Sequence, residues 1–264
     1  MMAAMPIYVV NLPAAVRRRE RMQTHLAELG LPDSRIFPGV LGSDLSEQAL
    51  AERYDDAGAR AASGRAFTRG EVGCALSHLA IYREMCRLNQ PFSLIFEDDC
   101  TVHPDLPALL PAIGRWLAAG TPRVLLLSPL RGYLGRGATP LDARHRIVRI
   151  HRAWGAYGYC LNQAAARALL EVNSPVILAA DDWIRYRQRT AIDLCGLDPY
   201  RVLPNELGAA SHISIDRDAL QSQTSTAVGD RLRRLARRWR RAVIEKLWLR
   251  PVHQLRRHRH QPFD

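Results

Sequence analysis

The stretch FSLIFEDDC (Phe92–Cys100) decides how the chain is read. Phe92 to Phe96 form a buried strand by composition, and three carboxylates follow at once: Glu97, Asp98 and Asp99. Neighbouring like charges repel, and burial disfavours their ionised forms. In an open α/β sheet, ligands bind beyond the C-terminal ends of the strands, which is where these acids fall. If the strand persists that far, period-2 alternation sends Glu97 and Asp99 to one face and Asp98 to the other. Two carboxylates on one side are hard oxygen donors for Mg²⁺ or Mn²⁺, and such an ion would relieve the repulsion. The competing reading is a set of turn carboxylates that merely end a strand.

Upstream, FTRGEVGCALSHLAIYREMCRLNQP places Thr68 and Glu71 as a capping box, so a helix is expected from there to about Asn89. Val72, Ala75, Leu76, Leu79 and Cys86 make its apolar stripe. Glu71 and His78 fall within about 20° of each other around the helix, where they line a cleft or bond to each other. Towards the N-terminus, PIYVVNL reads as a strand and RRRERMQTHLAELGL as a helix stopped by Gly30. SEQALAERY reads as a second helix, and DDAGARAASGRA as a mobile loop. Downstream, strands are expected at Arg123–Ser128, Arg146–Ile150 and Tyr157–Leu161, and a helix over NQAAARALLEV that ends before Pro175. Alternating strands and helices predict an α/β domain with a mainly parallel central sheet.

The chain has 264 residues, enough for one large core with a small extension. No apolar run approaches the roughly 18 residues that span a bilayer. The N-terminal MMAAMPIYVVNLP has no basic n-region, so a secretory signal is not expected. Five scattered cysteines without a CxxC pair argue for a reducing compartment rather than a disulfide framework. The net charge of +11 is localised. Twelve Arg/Lys and three acids between Gly229 and Asp264 give that segment +9, leaving +2 for the preceding 228 residues. The expected division is a domain over residues 1–225 and a basic helical tail over 226–264.

A second acidic pair, Asp181 and Asp182 in AADDWIRY, offers either a general base or the N-cap of the helix WIRYRQR. The residues alone leave both open.

The order of these motifs resembles glycosyltransferase family 25. The match runs through Asn11–Leu12, Arg18–Met22, Thr68, Gly70–Glu71, Gly73–Cys74 and Ser77–His78. It continues through Glu97–Asp99, Gly158–Tyr159, Ala166 and Asp181–Asp182, and spans roughly Ile7 to Ile213. Arg17 and Phe67 depart from the pattern, and Leu127–Arg152 matches weakly. The resemblance implies a GT-A-like, Rossmann-type fold, a nucleotide-diphospho-sugar donor with UDP-galactose as the default, a Mn²⁺ or Mg²⁺ ion, and inversion at the anomeric carbon. It implies donor-binding roles for Asn11, Arg18, Glu71 and Ser77, and for His78, Glu97 and Asp98. Metal ligation falls to Asp99 and Glu97, with His212 as a third ligand, and the base is Asp182 or Asp181. Trp183 and Trp154 stack on a sugar ring or fill the core, core packing being favoured for Trp154.

The tail DRLRRLARRWRRAVIEKLWLRP repeats Leu232, Leu235, Trp239, Val243 and Leu247 among arginines. It predicts a basic amphipathic helix on an anionic membrane surface, on the inner face of the cytoplasmic membrane; the family resemblance implies a saccharide or lipid-linked oligosaccharide acceptor of lipooligosaccharide biosynthesis there. Nucleic-acid binding is not expected, because aromatic interleaving is thin and the body is nearly neutral. A tail packed on its own domain, or an oligomerising helix, competes with membrane docking. The rival function is a non-enzymatic basic adaptor, and the runner-up enzyme class is a metal-dependent phosphohydrolase.

Overall fold

The computed structural model describes residues 5–205, 249–258 and 263. β1 (Ile7–Asn11) lies between β2 (Arg35–Pro38) and β3 (Phe92–Glu97), parallel to both. These strands belong to a nine-stranded sheet of order β11-β6-β7-β9-β5-β8-β3-β1-β2. The others are β5 (Arg123–Leu126), β6 (Gly132–Pro140), β7 (Arg146–Arg152), β8 (Gly158–Asn162), β9 (Asp193–Asp198) and β11 (Leu255–Arg256). β1, β2, β3, β5, β6 and β9 run one way, and β7, β8 and β11 are reversed. The sheet is therefore mainly parallel in strand direction, with antiparallel pairs wherever a reversed strand is inserted.

Alternation along the strands builds two cores. Tyr8 and Ile95 face one side, with α4 (Arg69–Arg87), α6 (Gln163–Val172) and α7 (Trp183–Arg189). Ile7, Val9, Phe92, Leu94 and Phe96 face the other, against α1 (Val16–Glu28) and α5 (Leu106–Leu117). The result is a three-layer α/β/α domain. From β1 the chain passes through α1 to β2 on one side, then returns through α4 to β3 on the other side of β1. The connections diverge at the end of β1, the position where open sheets of this class form a crevice.

The capping box is present as expected: Glu71 N donates to Thr68 Oγ1 at 3.1 Å, and Thr68 N donates to Glu71 Oε2 at 3.0 Å. SEQALAERY forms α2 (Glu47–Arg53), capped by Ser46. The segment expected to be a loop is instead α3 (Asp56–Ser63). Asp55 caps it through the Gly58 amide, an Arg60–Asp56 ion pair spans one turn, and Gly64 ends it in the left-handed conformation. These local interactions overcome the small-residue composition that suggested a loop.

β3 ends at Glu97, and Asp98 and Asp99 form the turn into β4 (Cys100–Val102). The alternating placement of the three acids therefore does not apply beyond Glu97. β4 pairs with β10 (Val202–Pro204) in a small second sheet. The expected amphipathic tail helix and the boundary at residue 225 lie outside the described residues. The end of that segment returns to the sheet, where Leu255 and Arg256 pair with Leu134 and Tyr133 of β6. No helix among the described residues is long and apolar enough to cross a membrane.

Candidate functional site

Asn11 and Glu97 end neighbouring parallel strands, which brings the acidic turn to the crevice beside β1. Asn11 Nδ2 donates to Asp98 Oδ2 at 2.6 Å and to the Ala15 carbonyl at 3.1 Å. The Arg18 guanidinium, in the first turn of α1, lies 3.4 Å from Asp98 Oδ1 and 3.9 Å from Asp99 Oδ2. The structure thus joins Asn11, Arg18, Asp98 and Asp99, four of the residues expected to form the site.

Both turn carboxylates resist ionisation. Burial raises Asp98 above the usual carboxylate range, while the hydrogen bond from Asn11 and the charge of Arg18 oppose the shift. Burial pushes Asp99 up to about 7, with Glu97 and Asp98 adding repulsion and Arg18 opposing. Asp99 Oδ1 is buried without a hydrogen-bond partner among the described residues, as is Asn11 Oδ1. The backbone amide of Asn205 donates to the Asp99 carbonyl at 2.8 Å. His212, expected as a third metal ligand, lies outside the described residues.

His78 Nε2 lies 3.3 Å from Glu97 Oε1. Its Nδ1 lies 2.7 Å from the Tyr159 hydroxyl, which is 2.7 Å from that of Tyr82. Cys74, one turn earlier on α4, completes this wall and lies half-buried. Burial lifts its thiol well above the ordinary range, and Glu97, Asp181 and Asp99 reinforce the shift.

Glu71 does not bond to His78. It accepts two hydrogen bonds from Arg65, at 2.8 and 2.5 Å, in addition to its capping contact. Ser77 is likewise engaged in the fold, accepting from Val40 N at 2.8 Å and donating to the Gly73 carbonyl at 2.7 Å. The helix approaches so closely here that a Cβ on Gly73 would sit 2.5 Å from the Val40 carbonyl. These contacts account for Glu71 and Ser77 as supports of α4.

The loop before β8 links the acids to the second carboxylate pair. Glu97 N donates to the Tyr157 carbonyl at 3.0 Å, and Gly155 N donates to Asp181 Oδ2 at 3.2 Å. Burial pushes the Tyr157 hydroxyl up to about 12, with Glu97, Asp99 and Asp181 contributing in the same direction. Asp182 occupies the N-cap position of α7 without a side-chain cap bond, and pairs with Arg185 at 2.5 Å. The structure therefore separates two residues that the sequence left equivalent.

The structure settles Trp183, left open between stacking and packing, and moves Trp154 out of its expected place in the core. Trp183 is 1% exposed and donates from Nε1 to the Gly155 carbonyl at 2.9 Å, so it is a core residue. Trp154, expected in the core, is 54% exposed, with the Arg131 guanidinium 5.2 Å from its ring centre. Gly155 beside it has a φ of +85°, a backbone that turns the loop and leaves Trp154 outside. Sequence reasoning also missed Cys74, Tyr157 and Tyr159 as neighbours of the acids. Only the four-residue spacing of Cys74 and His78 on one helix face signalled the first of these.

Residues 4–115 match the family model described as glycosyltransferase family 25 (LPS biosynthesis protein). A glycosyltransferase 25 family member of Anopheles gambiae is 40% identical over 101 residues, covering 37% of this chain and 17% of the relative. Procollagen galactosyltransferase 1-A of Xenopus laevis is 28% identical over 194 residues, covering 67% of this chain and 30% of the relative. A human protein named inactive glycosyltransferase 25 family member 3 is 36% identical over 177 residues, covering 62% and 28% respectively. The chain spans less than a third of the length of each of these relatives. The acidic turn, the capped helix α4 and the first β-α-β passage all fall within the segment, residues 4–115, that is similar to the glycosyltransferase family 25 model.

Proposed function

We propose that this chain transfers a hexose, galactose from UDP-galactose, to a saccharide acceptor with inversion at the anomeric carbon. The observation that carries the reading is Asp99 Oδ1, a buried carboxylate oxygen without a hydrogen-bond partner among the described residues, at the crevice beside β1. Its oxygen chemistry fits Mn²⁺ or Mg²⁺, with Asp99 and Glu97 as the residues to hold the ion and His212 as a proposed third ligand. When bound, such an ion stabilises the negative charge of the departing diphosphate.

The chain's own residues supply the rest. Asn11 and Asp98 shape the end of β1 where the nucleotide binds, and Arg18 adds a positive charge for the phosphates. Asp181 is the proposed base, because Asp182 is paired with Arg185 while Asp181 is held on the loop that joins the acidic turn. As the acceptor oxygen bonds to the anomeric carbon and the sugar–diphosphate bond breaks, the acceptor proton passes to the Asp181 carboxylate. Trp154 gives the acceptor sugar a flat apolar surface beside this base. The proposal extends to a lipid-linked or other surface-glycan acceptor, reached on the inner face of the cytoplasmic membrane through the basic tail.

The test is thermal unfolding with a panel of nucleotide sugars, in Mn²⁺ and then in chelator. A donor at a hundred times its Kd adds about 2.7 kcal/mol to native stability. A Mn²⁺-dependent rise with UDP-galactose is expected. The absence of any shift in folded protein overturns the reading in favour of a non-enzymatic basic adaptor; one similar human protein is itself named inactive. Release of free sugar without acceptor dependence would instead favour a hydrolase.

A further inference from the structure

We propose that Cys74, His78 and Glu97 form a second cation site, selective for a softer divalent ion of the Zn²⁺ class. The sulfur of Cys74, one ring nitrogen of His78 and one oxygen of Glu97 all lie within 4.8 Å of one another. Cys74 and His78 are four residues apart on α4 and therefore share a face. β3 delivers Glu97 opposite them, and the 3.3 Å between His78 Nε2 and Glu97 Oε1 is close to the edge of a zinc tetrahedron with bonds of about 2.0–2.3 Å.

The donor set distinguishes this site from the acidic turn. Thiolate, imidazole and carboxylate together suit Zn²⁺, whereas an all-oxygen set suits Mg²⁺ or Mn²⁺. Three protein ligands leave a fourth position for water or another ligand. Cys74 and Glu97 are half-buried, so the site opens to the cleft, and His78 anchors it from the interior. The negative charge of Asp181 acts on the same point and favours a cation there.

The surrounding hydrogen bonds also suit a metal-bound imidazole. With Nε2 on the ion, Nδ1–H donates to the Tyr159 hydroxyl at 2.7 Å, and Tyr159 donates onward to Tyr82 at 2.7 Å. Without the ion, the same hydroxyls reverse, Tyr159 donates to Nδ1, and Nε2–H faces Glu97. This outer hydrogen bond is the contact that orients a ligating histidine and raises its basicity. Binding releases the thiol proton to solvent, and the His78 ring proton moves from Nε2 to Nδ1 with no net gain or loss; no other covalent bond changes. Glu97 is shared with the proposed Mn²⁺ or Mg²⁺ site, so an ion held by Cys74 and His78 draws it away. Zn²⁺ at this site therefore inhibits transfer, a consequence that rests on the proposed function, whereas the binding itself does not.

The experiment is a Co²⁺ titration of the reduced full-length chain, prepared without an added histidine tag. One equivalent is expected to give the thiolate-to-cobalt absorption in the near ultraviolet and the intense visible bands of four-coordinate cobalt, both displaced by Zn²⁺. Cys74→Ser should abolish the thiolate band, and Tyr159→Phe should weaken binding about tenfold. Cys195→Ser removes a buried thiol outside the cluster and should leave both bands unchanged. No thiolate band in the folded parent chain, a band that survives Cys74→Ser, or one that disappears in folded Cys195→Ser overturns the site. Mn²⁺-dependent transfer without a thiolate band sinks this inference alone. A cobalt site without any transfer sinks the proposed function and leaves this inference standing.

Discussion

Asn11 and Asp98, 87 positions apart in sequence, are joined by a 2.6 Å hydrogen bond that ties the end of β1 to the acidic turn. The bond offsets part of the cost of burying Asp98. Replacing Asn11 by alanine leaves a buried carboxylate with Arg18 as its remaining partner among the described residues. The expected cost is about 1.5–3 kcal/mol, the usual worth of a hydrogen bond to a charged group. Urea denaturation measures it, and an unchanged midpoint would remove the assigned role.

Asp181 and Asp182 should behave differently. Asp181→Asn removes the proposed base and is expected to lower kcat by about 10²–10⁴-fold with little change in donor affinity. Asp182→Asn breaks the pair with Arg185 at the start of α7 and should act mainly on stability. Steady-state kinetics on both variants, with melting curves, separates the roles. Equal losses of kcat would contradict the assignment.

Trp154→Ala should raise the acceptor KM about tenfold while leaving UDP-galactose binding unchanged. An aromatic stacking contact contributes about 0.5–1.5 kcal/mol beyond buried area, and about 1.4 kcal/mol corresponds to tenfold in affinity. The ring is 54% exposed, so its removal leaves no core cavity. Acceptor titration at saturating donor makes the measurement, and an unchanged KM argues that the acceptor binds elsewhere.

The docking of β11 should weaken in acid. Asp198 is held to about 2: burial would raise it, but hydrogen bonds from His258 and Arg146 and the charge of Arg146 outweigh that effect. His258 Nε2 lies 2.9 Å from Asp198 Oδ1, and the Leu130 amide donates to His258 Nδ1 at 3.0 Å. A carboxyl lowered on folding stabilises the native state above its unfolded pKa of about 4 and loses that contribution as pH falls towards 2. Two pKa units correspond to about 3 kcal/mol as an upper bound. Hydrogen exchange of the β11 amides should accelerate over this window, and Asp198→Asn should flatten the response.

Where structure follows from neighbouring residues, it was legible in the sequence. Thr68 and Glu71 announced α4 because a capping box closes within four residues, and the apolar run before Glu97 announced β3. The exception, α3, shows the same physics: its Asp55 cap and Arg60–Asp56 pair are local, but the glycine and alanines around them obscured the pattern. At the site, the Glu97–Asp99 carboxylates were visible, but their partners were not.

By itself, the sequence determined the α/β alternation, the capped helix, the acidic strand end and the resemblance to glycosyltransferase family 25, because each is written in short-range pattern. Tertiary structure alone decided that Asn11 meets Asp98, that Cys74 and His78 face Glu97, that Trp154 is exposed while Trp183 is buried, and that Leu255–Arg256 joins the sheet edge. These relationships depend on strand order and on which face of each layer is covered. Local propensity carries no information about either, since packing between segments far apart in the chain selects them.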